Sequence, residues 1–201
     1  MTIDINESKV KRNEFSLWLS WTLATALGML IGYLPLAFLV GSFDLGIARV
    51  IVPIVTGVLL GTAQWLVLRP YVSNSSDWIL NHAVGWVVGF TLGLFVVQLL
   101  SKTPLGMLVG FIAFGVIVAL FQYPILRREI PHVSIWILAN VIGWTLGAYL
   151  SQLATGVLFQ NAAPTTFTSV LVTVGITGLV AGAITALALI WIVRQPDRLA
   201  A

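Results

Sequence analysis

The chain has no cysteine and very little charge. Its 201 residues include no Cys, so disulfides, thiolate metal sites and cysteine nucleophiles are excluded. Only 8% of the residues are charged, whereas a soluble globular domain carries about a quarter charged residues. At the same time, 59% of the residues are hydrophobic, so there are too few polar groups to cover a surface that faces water. The composition therefore predicts an integral membrane protein.

The few charged residues are bunched, and the stretches between them are apolar. About twenty residues of helix cross a hydrocarbon core roughly 30 Å thick, and the stretches have this length. Strands are excluded because the stretches are continuously apolar, whereas a membrane-spanning strand alternates apolar and polar residues. The sequence therefore predicts an all-α membrane protein with six transmembrane helices. The predicted spans are Phe15–Val40, Val50–Leu68, Trp78–Leu100, Leu105–Leu126, Ile135–Leu158 and Thr166–Val193.

Basic residues fall mostly on one side of the predicted membrane domain. With six spans, both termini and the second and fourth loops share a side, which carries eight of the ten basic residues. These eight are Lys9, Lys11, Arg12, Arg69, Arg127, Arg128, Arg194 and Arg198. Because positive charge favours the cytoplasmic side, we expect both termini there, and Arg49 and Lys102 opposite. The domains are then a cytoplasmic tail (1–14), a six-helix domain (15–193) and a second cytoplasmic tail (194–201).

The net charge of +3 indicates lipid rather than nucleic acid as a partner. Basic residues that are spread over membrane loops form no continuous patch on which a nucleic acid could lie. Anionic lipid headgroups are the expected partners instead. Arg69, Arg127 and Arg128 follow the ends of predicted spans, so we expect them to anchor in the headgroup region.

One segment occurs twice in the chain, 58 positions apart. Residues 64–89 read QWLVLRPYVSNSSDWILNHAVGWVVG, and residues 122–147 read QYPILRREIPHVSIWILANVIGWTLG. The match extends weakly towards the N-terminus, since Trp21 corresponds to Trp78 and Trp136. Self-similarity of this kind is typical of one supersecondary unit repeated. We therefore predict three tandem helical hairpins around a pseudo-threefold axis along the membrane normal. The repeat units are about 15–69, 78–127 and 135–194.

Small residues recur every four positions in all six spans, as in Gly28/Gly32 and Gly143/Gly147. In lipid, where apolar surface gains little by association, such faces let helix backbones approach closely. The pattern predicts a tightly packed bundle.

Six of the eight tryptophans lie near the predicted cytoplasmic ends of the spans. They are Trp18, Trp21, Trp65, Trp78, Trp136 and Trp191. Their depth predicts an aromatic belt at the membrane interface.

No Asp, Glu, Lys or Arg lies in the middle of a predicted span. Such residues mark proton relays and ion pathways, so a proton-coupled pump and a selective ion channel are not expected. His82 and His132 have no carboxylate or second histidine at ligand spacing, and no serine hydrolase motif or phosphate loop is present. The sequence therefore predicts no catalytic residue and no metal site.

A polar layer crosses the predicted bundle about one and a half turns inside its cytoplasmic end. It contains Thr25, Gln64, His82, Gln122 and Asn140. Three interpretations remain open. The side chains make interhelical hydrogen bonds that fix the register of the helices, they form a shallow, cytoplasm-facing site for a lipid headgroup or a pigment, or they are exposed to a water-filled vestibule. In the second case His82 is a candidate axial ligand of a tetrapyrrole metal.

Trp86 and Trp144 lie deeper, eight residues beyond the interfacial tryptophan of their spans, and each follows a glycine. They either fill the volume that glycine leaves or form the wall of a cofactor site. We expect the polar layer to face inwards at equivalent places in both copies, because an unpartnered polar group in hydrocarbon costs several kcal/mol. A cavity open to the cytoplasm, with Trp86 or Trp144 on its floor, would favour the ligand site.

The repeated pattern Q-[WY]-x-x-L-R followed by W-I-L-x-x-x-x-G-W resembles the tandem repeats of uncharacterised multi-pass membrane proteins of cyanobacteria and related bacteria. The opening EFSLWLSWTLATALG is similar to the same group. The resemblance covers most of the chain, and its specific part is 64–89 and 122–147. It implies a bacterial cytoplasmic or thylakoid membrane, and it assigns no catalytic residue.

Three hypotheses about function follow. The first is a non-enzymatic integral membrane protein, an accessory or scaffold subunit of a larger membrane complex, that binds lipid or pigment. The second is a small-solute transporter or channel, because parallel repeats around a normal axis are common in transport folds. The third is a membrane enzyme acting on a lipid or an isoprenoid, with His82 as general base, although no carboxylate is placed to orient that base.

Overall fold

The computed structural model describes residues 14–39, 45–72, 75–100, 103–128, 133–159 and 167–194, and the side chains of all of these except 35–39 and 45–49. Within these ranges the chain forms six α-helices and no strand. The helices are α1 (Glu14–Leu39), α2 (Leu45–Leu68), α3 (Asp77–Leu99), α4 (Pro104–Arg127), α5 (Ser134–Leu158) and α6 (Phe167–Val193). Each is long and apolar enough to cross a membrane. The prediction of an all-α chain with six helices of membrane-spanning length is confirmed.

The two predicted tails lie outside the described residues except for Glu14 and Arg194. The parts that are not described are residues 1–13 and 195–201, which include Lys9, Lys11, Arg12 and Arg198. Lys102, His132 and the side chain of Arg49 also lie outside the described part of the chain. The backbone of Arg49 lies within α2, which begins at Leu45 rather than at the predicted Val50. The apolar stretch marks the membrane span, and the helix extends beyond it because a helix can continue past the hydrocarbon.

Local signals define the start of α4. Thr103 lies in an extended conformation just before the helix, and its Oγ1 accepts a hydrogen bond of 3.1 Å from the backbone N–H of Gly106. Pro104 occupies the first helical position, where its missing N–H costs nothing. The threonine therefore satisfies one of the donors that the first turn of a helix leaves unpaired.

The six helices form a closed ring. Within the described residues, each helix packs against its neighbours in sequence, and α1 packs against α6 to close the ring. In the same part of the chain, helices on opposite sides of the ring make no close backbone contact. The centre of the ring is therefore filled by side chains, and α1, α3 and α5 supply most of the large buried aromatic ones.

Glycines set the distance between neighbouring helices. A Cβ atom added to Gly32 in α1 would lie 2.7 Å from the Cα of Thr56 in α2. One added to Gly115 in α4 would lie 2.9 Å from the Cα of Val141 in α5. Both distances are far shorter than the optimal separation of about 3.5–4.0 Å between carbon atoms, so a larger residue would force the backbones apart. This close approach supplies the contact that holds helices together in lipid.

Three of the six tryptophans that were expected at the membrane interface lie inside the ring instead. Trp21, Trp78 and Trp136 are 0–1% exposed, and they come from α1, α3 and α5. For these three the belt prediction is wrong, because depth along a helix does not show which way the side chain turns. Trp191 is 42% exposed on the outer face of α6, as an interfacial residue would be.

Candidate functional site

Trp21, Trp78 and Trp136 meet at the centre of the ring and form what we call the tryptophan triad. Their ring centroids are 6.0 Å apart for Trp21–Trp78, 5.8 Å for Trp21–Trp136 and 5.9 Å for Trp78–Trp136. All three pairs are edge-to-face, with interplanar angles of 66–76°. Edge-to-face contacts are favourable for aromatic rings. The triad therefore closes one end of the ring, the end at which α1, α3 and α5 begin.

The polar layer lies one turn further into the ring than the triad. Its five side chains are at most 3% exposed, so all of them face inwards and none faces lipid. They are Thr25, Gln64, His82, Gln122 and Asn140. The triad separates this layer from the predicted cytoplasmic end. The expected cytoplasm-facing site is therefore not formed in this conformation.

Gln122 connects three helices in the polar layer. Its Oε1 accepts a hydrogen bond of 2.8 Å from the indole Nε1 of Trp136 in α5. Its Nε2 lies 2.6 Å from Nδ1 of His82 in α3. Since the amide oxygen is taken by the indole donor, the amide nitrogen donates to Nδ1, and the proton of the neutral imidazole is then on Nε2.

The corresponding glutamine of the first copy makes fewer bonds. Gln64 Nε2 donates to Thr25 Oγ1 over 3.1 Å, and Thr25 Oγ1 donates to the backbone oxygen of Trp21 over 2.9 Å. Gln64 Oε1 and Trp78 Nε1 are buried and have no partner among the described residues. These two atoms occupy the positions that the bonded pair Gln122 and Trp136 occupies in the second copy.

Asn140 and His82 also occupy corresponding positions of the repeat, but they make different contacts with the deeper tryptophan of their helix. Asn140 Oδ1 accepts a hydrogen bond of 3.1 Å from Trp144 Nε1. His82 instead stacks between Trp78 and Trp86, with ring centroids 6.4 Å and 5.7 Å away. His82 Nε2 and Trp86 Nε1 are left without a partner in the described part of the chain. A stacked and fully buried imidazole has no open side for a tetrapyrrole, so the axial-ligand interpretation does not fit this structure.

A cavity of about 440 Å³ lies on the other side of the polar layer, towards the end at which α3 and α5 finish. We call it the aromatic cavity. Trp86, Phe114 and Trp144 form its floor, with ring centroids 4.9–5.5 Å apart and edge-to-face angles of 79–88°. The remaining aromatic side chains of the wall are Tyr33, Phe90 and Phe111. Trp86 and Trp144 therefore separate the polar layer from the cavity.

Most polar side chains of the cavity wall come from α5 and α6, and Tyr33 of α1 adds a phenolic hydroxyl. Those of α5 and α6 are Ser151, Gln152, Thr173 and Thr177. Thr177 Oγ1 donates to the backbone oxygen of Thr173 over 2.8 Å and lies 3.1 Å from Ser151 Oγ. No Asp, Glu, Lys, Arg or His is among the described residues that line the cavity. The wall is therefore neutral and mostly apolar.

Of the residues predicted to bind a ligand, the structure places two at the cavity and five in the polar layer beside it. Trp86 and Trp144 line the cavity, whereas the polar layer does not. The sequence analysis did not single out Tyr33 and Phe90. Phe90 had a signal, since it lies four residues after Trp86 and so on the same face of α3. Tyr33 corresponds to Phe90 at the shift that relates Trp21 to Trp78. The contribution of Phe114 had no comparable signal, since α4 is apolar on every side.

The three predicted anchoring arginines lie at helix ends on the same side as the triad. Arg69 follows α2 and places its guanidinium 5.5 Å from the ring of Trp65. Arg127 is the last residue of α4, and Arg128 beside it forms an exposed ion pair of 3.2 Å with Asp77 at the start of α3. All three are exposed, which is compatible with headgroup contact.

The described part of the chain contains no candidate metal site. No group of three or more His, Cys, Asp or Glu side chains lies close enough there to hold a metal ion. The aromatic cavity is thus the feature from which a function can be derived. No protein-family model, curated protein or solved structure matches the chain.

Proposed function

We propose that the protein is a non-enzymatic integral membrane protein that binds an apolar molecule, a lipid or a pigment, in the aromatic cavity. The observation that carries this proposal is a cavity of about 440 Å³ that is formed by the helix ring and lined by six aromatic side chains. Sites for small molecules have volumes of about 300–1,000 Å³, are mostly apolar and contain a few polar groups that orient the ligand. The aromatic cavity has each of these properties.

Binding, rather than catalysis, is supported by the chemistry of the wall. Its polar groups are hydroxyls and one amide, which orient a ligand but do not transfer protons at neutral pH. His82 is packed between two indole rings and does not reach the cavity, so a lipid-modifying enzyme with this base is not favoured. An accessory or scaffold subunit of a larger membrane complex fits a chain whose described part is almost entirely membrane helices.

We propose further that the three hairpins are related by a pseudo-threefold axis through the tryptophan triad. The nearly equal centroid distances and angles within the triad support this arrangement, as does the packing of α1 against α6. The excess of basic residues at the triad end supports cytoplasmic termini. The aromatic cavity would then lie in the extracytoplasmic half of a bacterial cytoplasmic or thylakoid membrane.

Native purification followed by mass spectrometry tests the binding proposal. We expect a lipid or a pigment to remain with the wild-type protein in mild detergent at close to one molecule per chain. In the variant Ala148→Phe a new ring enters the cavity wall, and the bound molecule should be lost. The control Leu146→Phe changes a lipid-exposed position on the same helix and should retain it. Wild-type protein with no bound molecule would overturn the proposal.

A small-solute transporter or channel is the second candidate, and one observation favours it. Four buried polar atoms in the triad, the polar layer and the cavity floor have no partner among the described residues. They belong to Gln64, Trp78, His82 and Trp86. Each costs about 1–3 kcal/mol, and an open, hydrated conformation would remove this cost.

Cysteine accessibility separates the two candidates, because the chain has no native cysteine. Cysteine is introduced singly at positions of the polar layer and probed with a membrane-impermeant thiol reagent from either side. The positions are Gln64, His82, Gln122 and Asn140. Labelling from the cytoplasmic side would establish a path past the tryptophan triad. If none of the four positions reacts, the transport candidate is excluded.

A further inference from the structure

We propose that the ligand of the aromatic cavity is a neutral, hydroxyl-bearing amphiphile that enters between α5 and α6. Its apolar body would lie against Trp86, Phe114 and Trp144, and its hydroxyl head would lie at a polar mouth formed by Gln152, Thr155 and Thr173. This inference rests on the proposed binding function and specifies the chemical class and the orientation of the ligand. Three independent features of the α5 and α6 ends lead to it.

The first feature is a second cavity that continues the aromatic one. It has a volume of about 270 Å³, and its lining residues belong to α5, to α6 and to Phe159, which directly follows α5. These residues are Gln152, Thr155, Gly156, Phe159, Ser169 and Thr173. Gln152 and Thr173 line both cavities, so the two lie side by side, and a movement of these two side chains would join them. An elongated molecule can therefore extend from the aromatic floor to this mouth.

The second feature is open space beside the end of α5. At Gly147 α5 packs tightly against α6, since an added Cβ would lie 2.8 Å from the backbone oxygen of Thr177. Gly156 lies two and a half turns later, on the opposite side of α5, and an added Cβ there would meet no atom within 4 Å. Gly156 also lines the second cavity, so this cavity is open beside it. A ligand can enter through this opening without any change in the contact between Gly147 and Thr177.

The third feature is the hydrogen-bonding chemistry of the mouth. Thr155 Oγ1 donates to the backbone oxygen of Ser151 over 2.9 Å, and Thr173 Oγ1 donates to that of Ser169 over 2.8 Å. The hydroxyl protons are therefore used, and the hydroxyl oxygens remain available as acceptors. The side-chain amide of Gln152 can supply donors. A hydroxyl head both donates and accepts, so it matches this combination of groups.

The lining of this site favours a neutral ligand. No Asp, Glu, Lys, Arg or His is among the described residues that line the mouth or the aromatic cavity. A phosphate or a carboxylate drawn into the aromatic cavity would have no counter-charge, and burying an unpaired charge is strongly unfavourable. Neutral alcohols of two origins, monoacylglycerols and isoprenoid alcohols, have the head chemistry that we propose. They share the head chemistry and differ in the shape of the chain.

Photolabelling tests this inference on the purified full-length protein. A monoacylglycerol and an isoprenoid alcohol, each with a diazirine at the chain end, are bound in separate arms, irradiated, and mapped by mass spectrometry. We expect labels on the α3 and α4 peptides that contain Trp86 and Phe114. The arm with stronger labelling identifies the origin of the ligand. The same arms are repeated in competition with the methyl ether of each alcohol and with the corresponding fatty or isoprenoid acid.

Two variants locate the mouth. Gly156→Trp places an indole in the open space beside Gly156, which lines the mouth, and we expect cavity labelling to fall by about tenfold. Val157→Trp is the matched control, because Val157 is 69% exposed on the outer face, and labelling should stay within about twofold. The double variant Thr155→Val, Thr173→Val removes both acceptor oxygens, so the wild-type preference for the alcohol over its methyl ether, about tenfold for one hydrogen bond, should disappear.

The outcomes separate this inference from the function on which it rests. Cavity labelling that survives in Gly156→Trp, without any preference for the alcohol, overturns the mouth and the hydroxyl head but leaves a binding cavity. Equal competition by the charged acids overturns the neutral class in the same way. If no probe labels the cavity-lining residues of α3 or α4, and all labels fall on outer-face residues, the binding proposal itself is wrong.

Discussion

The two copies of the repeated segment share ten identical residues, yet they pair their inward polar side chains differently. In the second copy the inward side chains bond one another or the helix backbone. They are Gln122, Trp136, Asn140 and Trp144. In the first copy each corresponding side chain keeps one buried atom without a partner among the described residues. They are Gln64, Trp78, His82 and Trp86.

The replacement of asparagine by histidine explains half of this difference. Asn140 presents an oxygen to the indole N–H of Trp144, one turn later on the same helix. His82 presents no acceptor to Trp86, because its Nδ1 is occupied by Gln122 and its Nε2 carries the proton. The imidazole and the indole of Trp86 stack instead, at 5.7 Å. Similar sequence repeats can therefore have unequal stability.

The buried polar atoms of the first copy that have no partner among the described residues lie beside the aromatic cavity. Each unpaired buried group costs about 1–3 kcal/mol, so the inner packing is weakest along α2 and α3. Trp86, which belongs to this part, is also on the floor of the cavity. A rearrangement that hydrates these groups would therefore begin on the α2 and α3 side of the ring. The second copy, whose polar groups are paired, would act as the rigid side.

The largest expected effect comes from removing the glutamine of each copy. Gln122→Leu leaves Trp136 Nε1 and His82 Nδ1 without partners, so we expect the free energy of unfolding to fall by about 3 kcal/mol. Gln64→Leu removes one bond and one unpaired oxygen, so the loss should stay below about 1 kcal/mol. Unfolding by SDS in mixed micelles, followed by circular dichroism, measures both. Equal losses would mean that the two copies are equally well paired.

A smaller difference is expected within the tryptophan triad. Trp78→Phe and Trp136→Phe remove the same volume from two fully buried positions, so the cost of the cavity should be nearly equal. Only Trp136→Phe also leaves Gln122 Oε1 unpaired. We expect it to be less stable than Trp78→Phe by about 1 kcal/mol in the same unfolding assay. A reversed order would show that Trp78 Nε1 has a partner, such as water or Gln64 in another rotamer.

His82→Asn should make the first copy resemble the second. The new amide oxygen can accept from Trp86 Nε1, while Gln122 Nε2 loses its partner at His82, so the net change should be within about 1 kcal/mol of zero. The sharper measurement is the indole N–H resonance of Trp86 in an NMR spectrum of ¹⁵N-tryptophan protein. It should move downfield, towards the position of Trp144. No movement would contradict the assigned role of Asn140.

The sequence predicts the helices of this protein better than it predicts the site. Bunched charges and apolar stretches of membrane length locate all six helices, and the cost of exposing amides to lipid places the polar layer inside. The helices are apolar on nearly every side, however, so the pattern does not show which face points inwards. Trp21 and Trp191 have the same expected depth, but one lies in the triad and the other faces outwards.

The cavity and its mouth were beyond prediction for a related reason. Gly147 and Gly156 lie two and a half turns apart on α5, and therefore on opposite sides of the helix. Gly147 packs against α6 and Gly156 faces open space, but α5 is apolar on most sides, so the sequence does not show which of its sides meets a neighbouring helix. The structure shows where in the ring the seven residues predicted to bind a ligand lie. Their role in binding stays a prediction.

The smallest effect is expected at the two ion pairs beside the triad. Arg194 after α6 contacts Glu14 at the start of α1, and Arg128 after α4 contacts Asp77 at the start of α3. The hydrogen bonds that Arg194 donates to the carboxylate of Glu14 raise the pKa of Arg194 above its ordinary value, so the guanidinium stays charged at any physiological pH. Both pairs are exposed, and salt at about 0.15 M screens such charges. Glu14→Gln and Asp77→Asn should therefore leave the SDS unfolding midpoint unchanged. A clear loss in Asp77→Asn alone would mean that this surface pair, and not only the inner layer, makes the two copies unequal.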